Sequence, residues 1–400
     1  MRLTAEFRQF RQVPRAWLLM LTLFLYGGGV GILAPMNAIY LQDQLGLSKG
    51  QIASIFSVSL LLNMLLTVGV GFISDRMRRK KTIPLTASLL CIAGLTIYMQ
   101  AETFVPALIG MTLATAPSGM IMGQLFAMAR QHFTARAPLI VEMSQLWLRS
   151  TYSAGFFTGL LIGANLYLIA SFQGVLWGNL GGYAALLLLL LCFRETPAAA
   201  GELRKTAGGE PFSLLMLIAL LLLSCADAIR GLYLPLVVHE RFGSPELMSY
   251  LWSVQAVFEL LFMTLAGYGA VRFGSKTVIL ASSFFALTAY LCYALSDRLP
   301  VFFLMQPLYS LFVSVLYGVA MGYVQRMFLH RTGFGASLYV FIAQTASLIG
   351  YLLPLVVEGV TPRIFFIPSA LIVLSIALMT SVLLAQRRRN AGHAPGGLEA

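Results

Sequence analysis

Charge is the scarcest commodity in this 400-residue chain: 10% of its residues are Asp, Glu, Lys or Arg, against roughly 25% in a typical soluble domain. That deficit excludes a water-facing globular surface. Histidine and cysteine are also sparse, at four each. Cys91, Cys192, Cys225 and Cys292 all fall inside apolar runs, where they read as small buried hydrophobes rather than disulfide partners. No His/Cys spacing suggests a metal site, and no cluster of His, Asp or Ser suggests a catalytic centre, so neither a cofactor nor an enzymatic activity is expected. Gly27, Gly28, Gly29 and Gly31 raise the question of a phosphate loop, but no Gly-Lys-Ser/Thr follows them, which removes nucleotide hydrolysis as an energy source. An ion gradient or the solute's own gradient remains.

What the chain does have is apolar residues, 58% of the total, gathered into runs of about 20, the length that crosses a bilayer as a helix. Lipid offers no partners to exposed backbone, and the runs lack the alternation of barrel strands, so an all-α membrane protein is expected. Twelve transmembrane helices are predicted. In the first half they cover Trp17–Leu41, Ile52–Ile73, Ile83–Gln100, Val105–Met128, Leu139–Leu166 and Val175–Phe193. In the second they cover Ser213–Val238, Met248–Val271, Val278–Leu295, Val301–Val324, Ala336–Val357 and Ile364–Leu384. Pro35, after the glycines, predicts a kinked first helix.

The basic residues orient this pattern. With the N-terminus in the cytoplasm, 21 of 27 Lys and Arg fall on that side, and only Lys49, Arg241, Arg298 and Arg363 fall opposite. By the positive-inside rule both termini are cytoplasmic, and the formal charge of +12 is explained without a nucleic-acid partner. The basic N-terminus precedes an apolar segment too long for a signal-peptide core, so that segment is expected to stay as the first helix. The hydrophilic stretch at the middle of the chain divides it into a six-helix bundle over 1–193, a cytoplasmic linker over 194–212, a second six-helix bundle over 213–386 and a polar tail over 387–400.

The two halves share a signature. After the second predicted helix the sequence reads GFISDRMRRK, and after the eighth GYGAVRFGSK; Gly71, Arg76 and Lys80 recur 196 residues later as Gly267, Arg272 and Lys276. A repeat at near half the chain length is what a duplicated carrier shows. The spacing resembles the loop of the major facilitator superfamily, in two pseudo-symmetric six-helix bundles. The resemblance implies a conformational latch formed by Gly71, Asp75, Arg76, Arg79 and Lys80, with Gly267, Arg272 and Gly274 in the second copy. Two departures stand out: Arg78 replaces a usual glycine, and Val271 replaces the acid in the second copy. Gly155, Gly159 and Gly163 put a small-residue face on the fifth helix, and also look like the helix-5 motif of drug antiporters, with Leu160 in place of its proline. The stretches around Gln124 and Arg130, around Arg149 and around Glu259 are similar to the bacterial sugar efflux transporters. That implies a monomer in the bacterial cytoplasmic membrane, handling a small solute and protons.

Ionisable residues inside the membrane are costly and are functional candidates by default: here Arg149, Asp227, Arg230 and Glu259. Arg149 and Glu259 are expected at similar depth in helices that the resemblance makes neighbours, as an ion pair that protonation of Glu259 or substrate at Arg149 would open. Asp227 and Arg230, three apart, share a helix face and can neutralise each other; alternatively Asp227 is a second proton carrier. Gln145, Arg149 and Tyr152 line one helix face, and Trp252, Gln255 and Glu259 another; Asn37, Gln124 and Gln344 add amides. Such amides and rings suit sugar hydroxyls, or bond neighbouring helices. The leading expectation is a proton-coupled exporter of sugars or related polar solutes working by alternating access. A multidrug or toxin antiporter, favoured by 18 Met and 27 Phe, is the alternative. A receptor or scaffold would need no such buried charge.

Overall fold

A computed structural model describes residues 9–74, 81–194, 210–328 and 332–392. Twelve apolar helices are found among them: α1 Ala16–Asp43, α2 Lys49–Ser74, α3 Thr82–Met99, α4 Phe104–Arg136, α5 and α6 within Val141–Cys192, α7 Leu214–Phe242, α8 Glu246–Phe273, α9 Ser275–Leu295, α10 Leu299–Met327, α11 Thr332–Leu352 and α12 Phe366–Gly392. The expected all-helical membrane architecture is therefore present. Breaks occur where the backbone cannot continue its ladder. α1 is interrupted between Leu33 and Asn37, around Pro35, as expected. α4 breaks between Thr115 and Ser118, at Pro117, and Asn63 Nδ2 on α2 donates to the freed carbonyls of Thr115 (3.3 Å) and Ala116 (2.9 Å). α4 also runs eight residues past its expected end, to Arg136.

The fifth and sixth helices are joined more tightly than expected. In place of a loop over 167–174, only Ala170 (φ −137°, ψ 22°) and Ser171 (φ 50°, ψ −153°) leave helical geometry. α5 thus covers 141–169 and α6 172–192. α11 begins at Thr332 and ends at Leu352, followed by a 3-10 turn over Leu353–Val356.

The described residues form two compact units, 9–194 with 242–253, and 210–241 with 254–392. In the first unit, α1 lies against α5 and α6 with almost no side chain between. A β-carbon on Gly155 would overlap the Phe24 carbonyl oxygen, one on Gly159 that of Gly28, and one on Gly29 would stand 2.8 Å from Gly182 Cα. Where lipid gives no hydrophobic drive between helices, this close backbone approach supplies the packing. The glycine face of α5 is thus spent on α1. Lys81 Nζ donates to the carbonyls of Leu191 (3.0 Å) and Phe193 (2.6 Å), a cation where the α6 dipole is negative.

In the second unit, α7 is the most enclosed helix, with 18 buried residues. Gly350 on α11 approaches the Cys225 carbonyl, a β-carbon there standing 2.9 Å away. Tyr290 on α9 donates to the Ala226 carbonyl (2.9 Å), and Ser375 on α12 to that of Ala219 (2.9 Å). At the far end of α7, Arg241 pairs with Asp297 and donates to the Ser296 carbonyl (3.0 Å).

Candidate functional site

The polar residues of the second unit converge on α7. Asp227 and Arg230 stand 13 and 16 residues into this 29-residue helix, near its midpoint, where charge is most expensive. They form no direct ion pair; each has its own partners, and a tyrosine joins them. Tyr309 on α10 donates its phenol to Asp227 Oδ1, and Tyr317 donates to Oδ2 at 2.5 Å. The Arg230 guanidinium lies 3.6 Å from the centroid of the same Tyr309 ring, and its Nη2 donates to Gln306 Oε1 at 2.7 Å. Gln306 Nε2 in turn donates to the Tyr293 hydroxyl (3.0 Å) and the Phe302 carbonyl (2.7 Å). Arg230 is 3% exposed, yet its Nε has no hydrogen-bond partner.

The wall around this cluster is aromatic. Tyr290, Tyr293 and Tyr309 pack edge to face, with centroids 5.9–6.4 Å apart, which lets the cation sit among ring faces instead of water. α10 is irregular beside Asp227: Val315–Ala320 is a π-helical turn. Tyr317 belongs to this turn, and Tyr339 on α11 donates to the Leu316 carbonyl within it. Such turns are frequent at functional sites. From α8, the carbonyls of Gln255 and Glu259 accept bonds from Ser310 (2.9 Å) and Ser314 (3.1 Å) of α10. Glu259 is half-buried, as is Gln255, whose Oε1 is buried without a partner. Gln344 is half-buried on α11.

In the first unit, Asn37 is 5% exposed and clamps helices together, donating to Met111 Sδ (3.0 Å) and accepting from the Tyr98 hydroxyl (2.7 Å). Gln124 Oε1 and Gln145 Nε2 are buried and unpaired, as is Trp252 Nε1; a membrane interior tolerates such groups poorly. Tyr152 packs near Tyr26, centroids 5.8 Å apart, and the Tyr26 hydroxyl donates to the Ser118 carbonyl (3.1 Å). Arg149 is exposed on α5. It stands eight residues from the start of α5, and Glu259 fourteen from the end of α8, about 12 Å and 21 Å along their own helices.

Of the latch residues, Gly71 lies in the last turn of α2, while Asp75, Arg76, Arg79 and Lys80 lie outside the described residues. The second copy is visible. Gly274 turns the chain between α8 and α9 at φ +84°, which a side chain would strain. Arg272 lies over the Phe273 ring at 5.2 Å. The acid that Val271 lacks comes from elsewhere: Glu210, just before α7, places its carboxylate 3.5 Å from Lys276 Nζ and donates its N–H to the Arg326 carbonyl (3.0 Å). Arg326 donates to Ser275 Oγ at 2.5 Å, and Lys276 to Gln386 at 3.1 Å. A cavity of about 580 Å³ lies beside this network, lined by Glu210, Gly267, Gly274, Ser275, Gly322 and Arg326 among others. Among the described residues, no group of three or more His, Cys, Asp or Glu could hold a metal ion.

Sequence reasoning missed Tyr309, Tyr317, Gln306 and Glu210. The signal for the first three was a glutamine and two tyrosines on one apolar span; Glu210 had no signal beyond its charge.

The Major Facilitator Superfamily profile matches residues 19–350. The chain is 23% identical over 331 residues to Sugar efflux transporter B of Salmonella typhimurium, spanning 80% of this chain and 83% of that protein. It is 21% identical over 348 residues to Sugar efflux transporter A of Escherichia coli, spanning 85% and 87%. The crystal structure of the nucleoside transporter NupG matches with a TM-score of 0.74 at 13% identity, over 92% of this chain and 98% of that one, which is likeness of fold. Helix architecture, repeated loop and profile agree: the chain belongs to the Major Facilitator Superfamily and is a multi-pass membrane transporter, not an enzyme.

Proposed function

We propose that the protein exports sugars or related small polar solutes in exchange for protons, by alternating access. The observation that carries this reading is the cluster on α7, α9 and α10: a carboxylate, a guanidinium, an amide and tyrosines held at mid-span. Buried charge of this kind costs roughly 2.5–3.5 kcal/mol per group on insertion scales, an expense that packing alone does not require. Its chemistry suits hydroxyl-rich solutes, the class named for the sugar efflux relatives. In this reading Gln124, Gln145, Trp252 and Gln255, with unpaired buried polar atoms, add further hydrogen-bonding groups for solute. Asp227 and Glu259 are the carboxylates available to carry protons. The carrier works as a monomer in a bacterial cytoplasmic membrane, with both termini inside.

Counterflow in proteoliposomes tests this, with labelled sugars and cationic dyes offered in parallel, with and without a pH gradient. Sugar exchange stimulated by the gradient is expected. Dye uptake without sugar exchange would favour the multidrug alternative and end the sugar reading. Unchanged pH-driven transport by both Asp227→Asn and Glu259→Gln would remove these two carboxylates as proton carriers.

A further inference from the structure

We infer that Asp227 is the residue that recognises a pair of neighbouring solute hydroxyls, and that Tyr317 is a built-in competitor which the solute displaces. This rests on the proposed sugar transport and adds to it a recognition element and a class of ligand, a vicinal diol.

The geometry supplies the argument. Two hydroxyl donors already occupy Asp227, one on each carboxylate oxygen: Tyr309 on Oδ1 and Tyr317 on Oδ2. Adjacent hydroxyls of a sugar present the same pattern, two O–H donors aimed at the two oxygens of one carboxylate. The two tyrosines are not equivalent. Tyr309 is fully buried beneath the Arg230 guanidinium, whereas Tyr317 is 40% exposed. Tyr317 also stands in the π-helical turn Val315–Ala320, whose Leu316 carbonyl is tied by Tyr339, so its side chain is carried on the least regular part of α10. Tyr309 is therefore the fixed donor and Tyr317 the replaceable one.

One solute hydroxyl takes the place of the Tyr317 phenol on Oδ2, and its neighbour shares Oδ1 with Tyr309, since each carboxylate oxygen accepts two hydrogen bonds. Binding then draws only on the difference between the two donors and on the second hydroxyl of the pair. That is the energetics of a carrier, which must release what it binds. An apolar or cationic drug offers no hydroxyl pair and would leave Tyr317 in place.

Removing the competitor should tighten binding. Wild type, Tyr317→Phe and Asp227→Asn are reconstituted, and the sugar concentration for half-maximal counterflow is measured for a hexose and for its deoxy analogues, with thermal melting as the check of folding. Tyr317→Phe is expected to lower that concentration by about tenfold, the lower end of the worth of one hydrogen bond to a charged group. Asp227→Asn should raise it by a similar factor, and the deoxy analogue lacking the hydroxyl that takes the place of Tyr317 should show no gain from Tyr317→Phe. A folded Tyr317→Phe protein whose half-saturation is unchanged or raised overturns the inference while leaving sugar transport standing. Absence of sugar counterflow in the wild type overturns the transport reading, and this inference with it.

Discussion

At the scale of single residues, Arg230 is held from several sides. Its guanidinium lies on Tyr309, holds Gln306 and is 3% exposed. Arg230→Met should cost about 1–3 kcal/mol, because it leaves the buried Gln306 Oε1 without its donor, read as a lower melting temperature in detergent. Arg230→Lys should recover only part of this, since an ammonium cannot both lie flat on a ring and reach an amide. Asp227 and Arg230 were legible in the sequence because charge inside an apolar run stands out. Their arrangement was not: three-residue spacing suggests mutual neutralisation, whereas the fold gives each its own partners from α10. Tyrosine in a hydrophobic span reads as filler until its hydroxyl is seen to have a destination.

Among the elements, the contact of α1 with α5 makes a stronger demand than any side-chain pair. Gly159→Leu would drive a branched side chain into the Gly28 carbonyl and should abolish recovery of monodisperse protein in size-exclusion chromatography, while Gly123→Leu, with open space at its β-position, should not. The segment before α7 makes a smaller demand. Glu210→Gln removes an ion pair whose carboxylate is 27% exposed and should shift stability by less than about 1 kcal/mol. Lys276→Met should cost more, since Lys276 is 8% exposed and serves both Glu210 and Gln386; melting curves of the two variants decide the order. Hydropathy located all twelve spans, and Pro35 marked the break in α1. The reversal at Ser171 and the π-helical turn in α10 carry no comparable mark, because both arise from how neighbouring helices pack and not from local propensity.

For the whole molecule, the positive-inside rule makes an orientation that labelling can check. In a background lacking the four native cysteines, Lys49→Cys should react with an impermeant thiol reagent on intact cells, and Lys81→Cys only after permeabilisation. Helix count, half-chain repeat and family were legible because lipid imposes long apolar spans and duplication leaves fixed offsets. The glycine-lined contact of α1 with α5 also sets an order of events during synthesis. Gly27 precedes Gly155 by 128 residues, so at roughly 5–20 residues per second α1 is made about 6–25 s before the helix that covers it. A lone helix in lipid satisfies its own backbone and can wait. A bulky residue at Gly159 should therefore leave α1 inserted but unclaimed, a failure of assembly and not of membrane entry.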